Sequence, residues 1–148
     1  MDTTQRATKL IADLLATLRA TQWIHWTGHW QASGNPYYGD HLLLQRLYEG
    51  INDEIDTLAE KMVAMYGIDS VNPATQAELF NRIVQRLSKE QSPILRSLNT
   101  ELKLMEMLEA TFKELEAMGK LSLGLNDFIA AAANNHETYV YLLKQRTR

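Results

Sequence analysis

Hydrophobic residues return every three or four positions in four long stretches of the chain, about 5–31, 40–66, 93–118 and 125–145. Each stretch is too long for a strand, and the spacing is that of a helix with one apolar face. In the second stretch Leu44, Leu47, Tyr48, Ile51, Ile55, Leu58 and Met62 make one stripe. The third reads as Leu98, Leu102, Met105, Phe112 and Leu115, and the fourth as Leu125, Phe128, Ile129, Ala132, Val140 and Leu143. Breaks fall where glycine and proline cluster: Gly34-Asn35-Pro36, Gly67 to Pro73, Ser92-Pro93 and Gly119 to Gly124. Pro73 stands in a first-turn position, so 73–87 reads as a shorter connecting helix. The pattern predicts one all-α domain over 1–148, most simply an up-down four-helix bundle with a longer link between its second and third long helices.

The first stretch differs from the others. Leu10, Leu14 and Leu18 set its core stripe, and His25 and His29 continue it. Trp23, Trp26 and Trp30 then gather on a second flank. A helix apolar on two flanks has more to bury than one bundle core can cover, which predicts a subunit interface there.

Composition narrows the function classes. At 148 residues, 45% hydrophobic and 22% charged, the chain reads as a globular domain able to bury its own core. Cysteine is absent, which removes disulfides, thiolate metal sites and cysteine nucleophiles and fits a reducing, cytoplasmic setting. The longest apolar run, Phe128 to Ala133, falls far short of the roughly 20 residues that span a bilayer. Met1 to Arg6 does not open like a signal peptide. With a net charge of −3 and both signs interspersed, DNA binding is expected to be weak or absent.

Two groups of side chains could carry chemistry. His25 and His29 are spaced i, i+4, so both rings project from one helical face and could share a metal. His41 opens the second long helix just after the turn that follows His29, and antiparallel packing brings those two to one end of the bundle. His136, among Ala132, Ala133, Tyr139 and Val140, reads as a hydrogen-bonded core histidine. Asp56 and Glu60 form the second group, again i, i+4, on the same flank of their helix as His41 and Gln45.

Distance separates the two groups. His41 and Asp56 are 15 residues apart, about 22 Å along a helix, whereas the ligands of one ion lie within a few ångströms of each other. They can meet if two chains pack their second helices antiparallel about a two-fold axis, giving two equivalent sites per dimer. A second arrangement stays open, in which His25, His29 and His41 hold one divalent metal in a helical-bundle hydrolase or transferase. A di-iron centre inside one bundle calls for Glu-x-x-His on two helices, and no glutamate stands three residues before any histidine here. Glycine-rich phosphate loops, Gly-x-Ser-x-Gly and His-Glu-x-x-His are all missing.

The stretch His29-Trp30 … Gly34-Asn35 … His41 … Asp56-Thr57-Leu58-Ala59-Glu60-Lys61 resembles the Dps miniferritins, the DNA-binding proteins from starved cells. Asn126-Asp127-Phe128 and the run His136 to Leu143 resemble that family's last helix, so the likeness spans nearly the whole chain. It implies a ferritin-like four-helix subunit in a hollow homo-dodecamer, with ferroxidase sites at the two-fold interfaces. His29 and His41 would come from one subunit and Asp56 and Glu60 from its neighbour, with Trp30 beside the iron. The implied activity is oxidation of Fe(II) with hydrogen peroxide or oxygen, storage of the ferric mineral and protection against oxidative stress. Two departures stand out. The family usually has an acid four positions after the second histidine, where this chain has Gln45, a weaker iron ligand for which His25 could substitute. The lysine-rich tail through which many members bind DNA is also missing, which leaves a nucleoid-binding particle with a vestigial metal site as a further alternative.

Overall fold

A computed structural model describes residues 1–148. It contains five α-helices: α1 (Thr3–Gln31), α2 (Tyr37–Tyr66), α3 (Pro73–Leu87), α4 (Pro93–Ala117) and α5 (Leu123–Arg146). A 3-10 turn, Ile68–Val71, lies between α2 and α3. Helix starts are fixed by local chemistry. Asp2 and Gln5 cap α1 reciprocally, the Gln5 amide donating to Asp2 Oδ1 at 2.8 Å and the Asp2 amide to Gln5 Oε1 at 2.9 Å. Asn72, Ser92 and Ser122 cap α3, α4 and α5, the first two with proline in the next position. Gly67 and Gly119, which end α2 and α4, have φ of 91° and 67°, a region glycine enters without steric cost.

Residue pairings give the topology. Gln22 meets Tyr48 and Asn52, and His29 meets His41, so α1 and α2 are antiparallel. Asp40 meets Arg146 and Glu54 meets His136, so α2 and α5 are antiparallel as well. The same logic applied to His25 with Glu101 and Gln31 with Arg96 sets α4 against α1. Helices α2 and α4 are therefore parallel. The simple alternating bundle is corrected here: the long link, with α3, returns the chain to the end where α2 began before α4 starts.

One core of 21 buried residues runs through the four long helices, including Leu14, Leu18, Leu44, Leu47, Ile51, Leu58, Leu104, Leu108 and Leu125. Helix α3 rests on α1 through a smaller cluster of Ala16, Ala20 and Ile83, and Gln76 Nε2 donates to the Ala12 carbonyl at 3.1 Å. The expected stripe of α4 is off by one row. Leu98, Met105 and Phe112 lie half-buried on its flank and Leu102 is exposed. The row that enters the core is Ile94, Ser97, Glu101, Leu104, Leu108, Thr111 and Leu115. That row mixes in polar residues, which is why the more apolar neighbouring row looked like the core.

Candidate metal centre

At one end of the bundle the turn between α1 and α2 brings His29 and His41 face to face. Their rings stack with centroids 3.6 Å apart. His29 Nδ1 lies 2.7 Å from the His41 carbonyl, and His41 Nδ1 lies 2.9 Å from the His29 carbonyl. A carbonyl only accepts, so both Nδ1 atoms carry the proton and donate. Neither Nε2 makes a hydrogen bond within the chain. This is how metal-binding imidazoles are oriented: the outer nitrogen is tethered and the inner one is basic. Tyr37 stacks on His41 at 5.0 Å and Tyr48 meets His29 edge-on at 5.3 Å, which fixes the two rings further.

Carboxylates do not complete this end. Asp40 is buried in a bidentate pair with Arg146, at 2.5 and 2.9 Å. Gln45 donates its amide to Glu49 Oε1 at 3.0 Å. Asp56 and Glu60 are exposed near the other end of α2. No group of three or more His, Cys, Asp or Glu side chains within one chain is arranged to hold a metal ion.

The three tryptophans of α1 flank the histidine pair. Trp26 stacks flat on Tyr48, centroids 4.6 Å apart and planes 2° apart, and Trp30 packs against both Trp23 and Trp26 at about 6 Å. They are nevertheless 43%, 37% and 58% exposed for Trp23, Trp26 and Trp30. Three partly exposed indoles beside the histidine pair are a large apolar area with no cover within the chain.

His25 does not join His29 and His41. It is fully buried one turn below, with Nδ1 2.8 Å from Ser97 Oγ and Nε2 2.7 Å from Glu101 Oε2. Both nitrogens are occupied, so neither the three-histidine arrangement nor substitution for Gln45 has a free donor here. Glu101 in turn meets His136 Nδ1 at 2.5 Å, and His136 Nε2 meets Glu54 at 2.9 Å. Each of the four long helices thus contributes one residue to a chain of alternating imidazoles and carboxylates in the bundle interior.

Charge in this interior chain is stabilised by the pairing itself. Burial alone would raise the Glu101 carboxyl, but hydrogen bonds from His136 and His25 outweigh it and hold Glu101 below the usual carboxylate range. Burial alone would lower His136, but hydrogen bonds to Glu101 and Glu54 push it up to about 9. His136 is thus an imidazolium held between two carboxylates. Sequence reasoning placed His136 in the core but missed Glu54 and Glu101.

The sequence matches no family model and no curated protein. Solved structures do match the fold. Dps from Thermosynechococcus elongatus superposes with a TM-score of 0.83 at 16% identity, over 98% of this chain and 92% of that one. A Dps protein from Bacillus brevis gives 0.81 at 18% identity over 100% of both chains. The Vibrio cholerae Dps protein, described as a member of a broad superfamily of ferritin-like diiron-carboxylate proteins, gives 0.80 at 14% identity over 97% and 90%. The fold is ferritin-like. Within that class it is the Dps fold, with the short α3 between the second and third long helices.

Proposed function

We propose that this chain is the subunit of a miniferritin that oxidises Fe(II) at sites shared between two chains and stores the ferric product in a closed, dodecameric shell. The observation that carries the reading is the His29–His41 pair, with both Nδ1 atoms tethered and both Nε2 atoms free. Two imidazoles with Asp56 and Glu60 of the partner subunit form a mixed nitrogen and oxygen set suited to Fe(II). Each Fe(II) gives one electron, and hydrogen peroxide accepts two to become water, so a site for two irons consumes peroxide without one-electron products. Molecular oxygen is the alternative oxidant. The exposed tryptophan flank supplies apolar area for the two-fold contact. Protection against oxidative stress in the cytoplasm is the corresponding role, and the likeness in fold to Dps proteins supports it.

The two iron positions are unequal in this proposal. Gln45 supplies an uncharged amide whose nitrogen is already directed to Glu49, so the position beside it attracts a dication less than a carboxylate would. Anaerobic Fe(II) titration should show one firm and one weak iron per site, and two equally tight irons would contradict the asymmetry. Gln45→Asp should strengthen the weak position and speed oxidation. His29→Ala and Glu60→Ala should nearly abolish peroxide-driven Fe(II) oxidation, read as the absorbance of the ferric product. His25→Ala should lower stability and leave the iron count unchanged; normal oxidation in His29→Ala would overturn the assignment.

A further inference from the structure

A groove of about 990 Å³ lies between α1, α3 and α4. Lys9, Arg82, Arg86, Lys89 and Lys103 line it, five of the chain's 15 lysines and arginines, in a protein whose net charge is −3. Asp13 is the groove's single carboxylate. Lys9, Arg82, Arg86 and Lys89 form no ion pair, and Lys103 only a loose, exposed one to Glu106 at 3.4 Å. Burial holds Asp13 above the ordinary carboxylate range even though Lys9, Arg82 and Arg86 act to lower it. Those three cations act on Asp13 through space, and none of them is ion-paired with it.

Like charges gathered in one concavity repel each other, and with all five side chains exposed the groove presents a concentrated positive potential to solvent. Arg82 and Arg86 are one turn apart on α3, so both guanidinium forks are presented along one wall. Lys9 and Lys103 come from the facing helices. Planar forks on one side and mobile ammonium groups on the other suit an anion with many oxygens spaced along a short chain. The volume is that of a small-molecule site. Duplex DNA is a convex rod, and a concave groove meets it only at the rims.

We propose that this groove binds a linear polyphosphate group, either free or as the tail of a nucleotide. The site is independent of the iron chemistry and uses none of the residues assigned to it. Binding is electrostatic and therefore falls as salt rises.

The test is calorimetric titration of the full assembled protein with sodium tripolyphosphate and, separately, with ATP, both without metal, at low and physiological ionic strength. Saturable, salt-sensitive binding of tripolyphosphate is expected. Arg82→Gln/Arg86→Gln should weaken it about tenfold or more, as when charge-assisted hydrogen bonds are lost. Lys113→Gln, on an exposed helix surface away from the groove, should leave it unchanged. Equal affinity for the two probes assigns the free polyphosphate, and tighter ATP binding assigns the nucleotide. If the arginine double variant does not assemble, Lys9→Gln/Lys103→Gln takes its place. Absence of binding at millimolar probe in low salt overturns the proposal, as does unchanged affinity in an assembled groove variant. Tighter retention of duplex DNA through the same residues would also overturn it.

Discussion

Glu101 has no exposed surface, and a buried carboxylate persists only where donors surround it. Here two imidazoles do so, and each imidazole is held from behind, His25 by Ser97 and His136 by Glu54. Tyr139 packs edge-on against His136 with ring centroids 5.0 Å apart, and its hydroxyl accepts a hydrogen bond from Asn135. Gly50 makes that position possible. A Cβ built on Gly50 would fall 1.9 Å from the Tyr139 hydroxyl, so α5 can approach α2 here only over a residue without a side chain. Gly50→Ala should therefore drive Tyr139 off its place beside His136. We expect a loss of about 1–3 kcal/mol by chemical denaturation, with the helix content unchanged. An unchanged midpoint would mean that Tyr139 has room to turn aside.

Among the elements, helix boundaries were legible because glycine and proline mark them: α3 runs over Pro73–Leu87, as its first-turn proline implied. The His29–His41 meeting was legible too, since a short turn between antiparallel helices forces it. The phase of α4 was not. Two rows on that helix both recur at three and four residues, and the more apolar one, with Leu98, Leu102 and Met105, looked like the core. The true row alternates Ile94, Ser97, Glu101, Leu104 and Leu108, and its unbroken spacing was the available signal. Glu54 and Glu101 escaped notice because a carboxylate on a helix reads as solvated until its partners on other helices are known. The Glu-x-x-His signature spoke only to side chains on one helix, whereas this interior chain is assembled across all four.

That interior chain predicts a stability window. His136 is raised from 6.5 to about 9. Its contribution is complete below its unfolded value and is lost as pH climbs through the folded one. Glu101 is lowered from 4.5, so its contribution is complete above that value and is lost as pH falls through the folded one. Their joint contribution is largest between pH 4.5 and 6.5. Thermal denaturation should show a falling midpoint on the alkaline side approaching pH 9, a limb that His136→Gln should flatten. A midpoint that rises from pH 6.5 to 9 in the unmodified protein would mean that His136 is neutral in the fold.

For the whole molecule, the length of α2 keeps apart the two groups that the proposed function joins across a pair of chains. His41 opens the helix, whereas Asp56 and Glu60 lie 15 and 19 positions further on and face water. The tryptophans on α1 are exposed, and in the proposed assembly a second copy of the chain covers them and brings its carboxylates to the histidines. No helix of this chain is long and apolar enough to cross a membrane. In solution the mass should be near that of twelve chains, and a stable monomer would leave the histidines without carboxylates.

The sharing of sites between chains can be measured by subunit complementation. His29→Ala/His41→Ala chains and Asp56→Ala/Glu60→Ala chains are each expected to assemble and to oxidise no Fe(II). Co-assembled in equal amounts, they should regain about a quarter of the normal rate, because random pairing about a two-fold axis leaves one site in four with intact halves from both chains. A mixed assembly of normal mass that stays inactive would contradict the shared site.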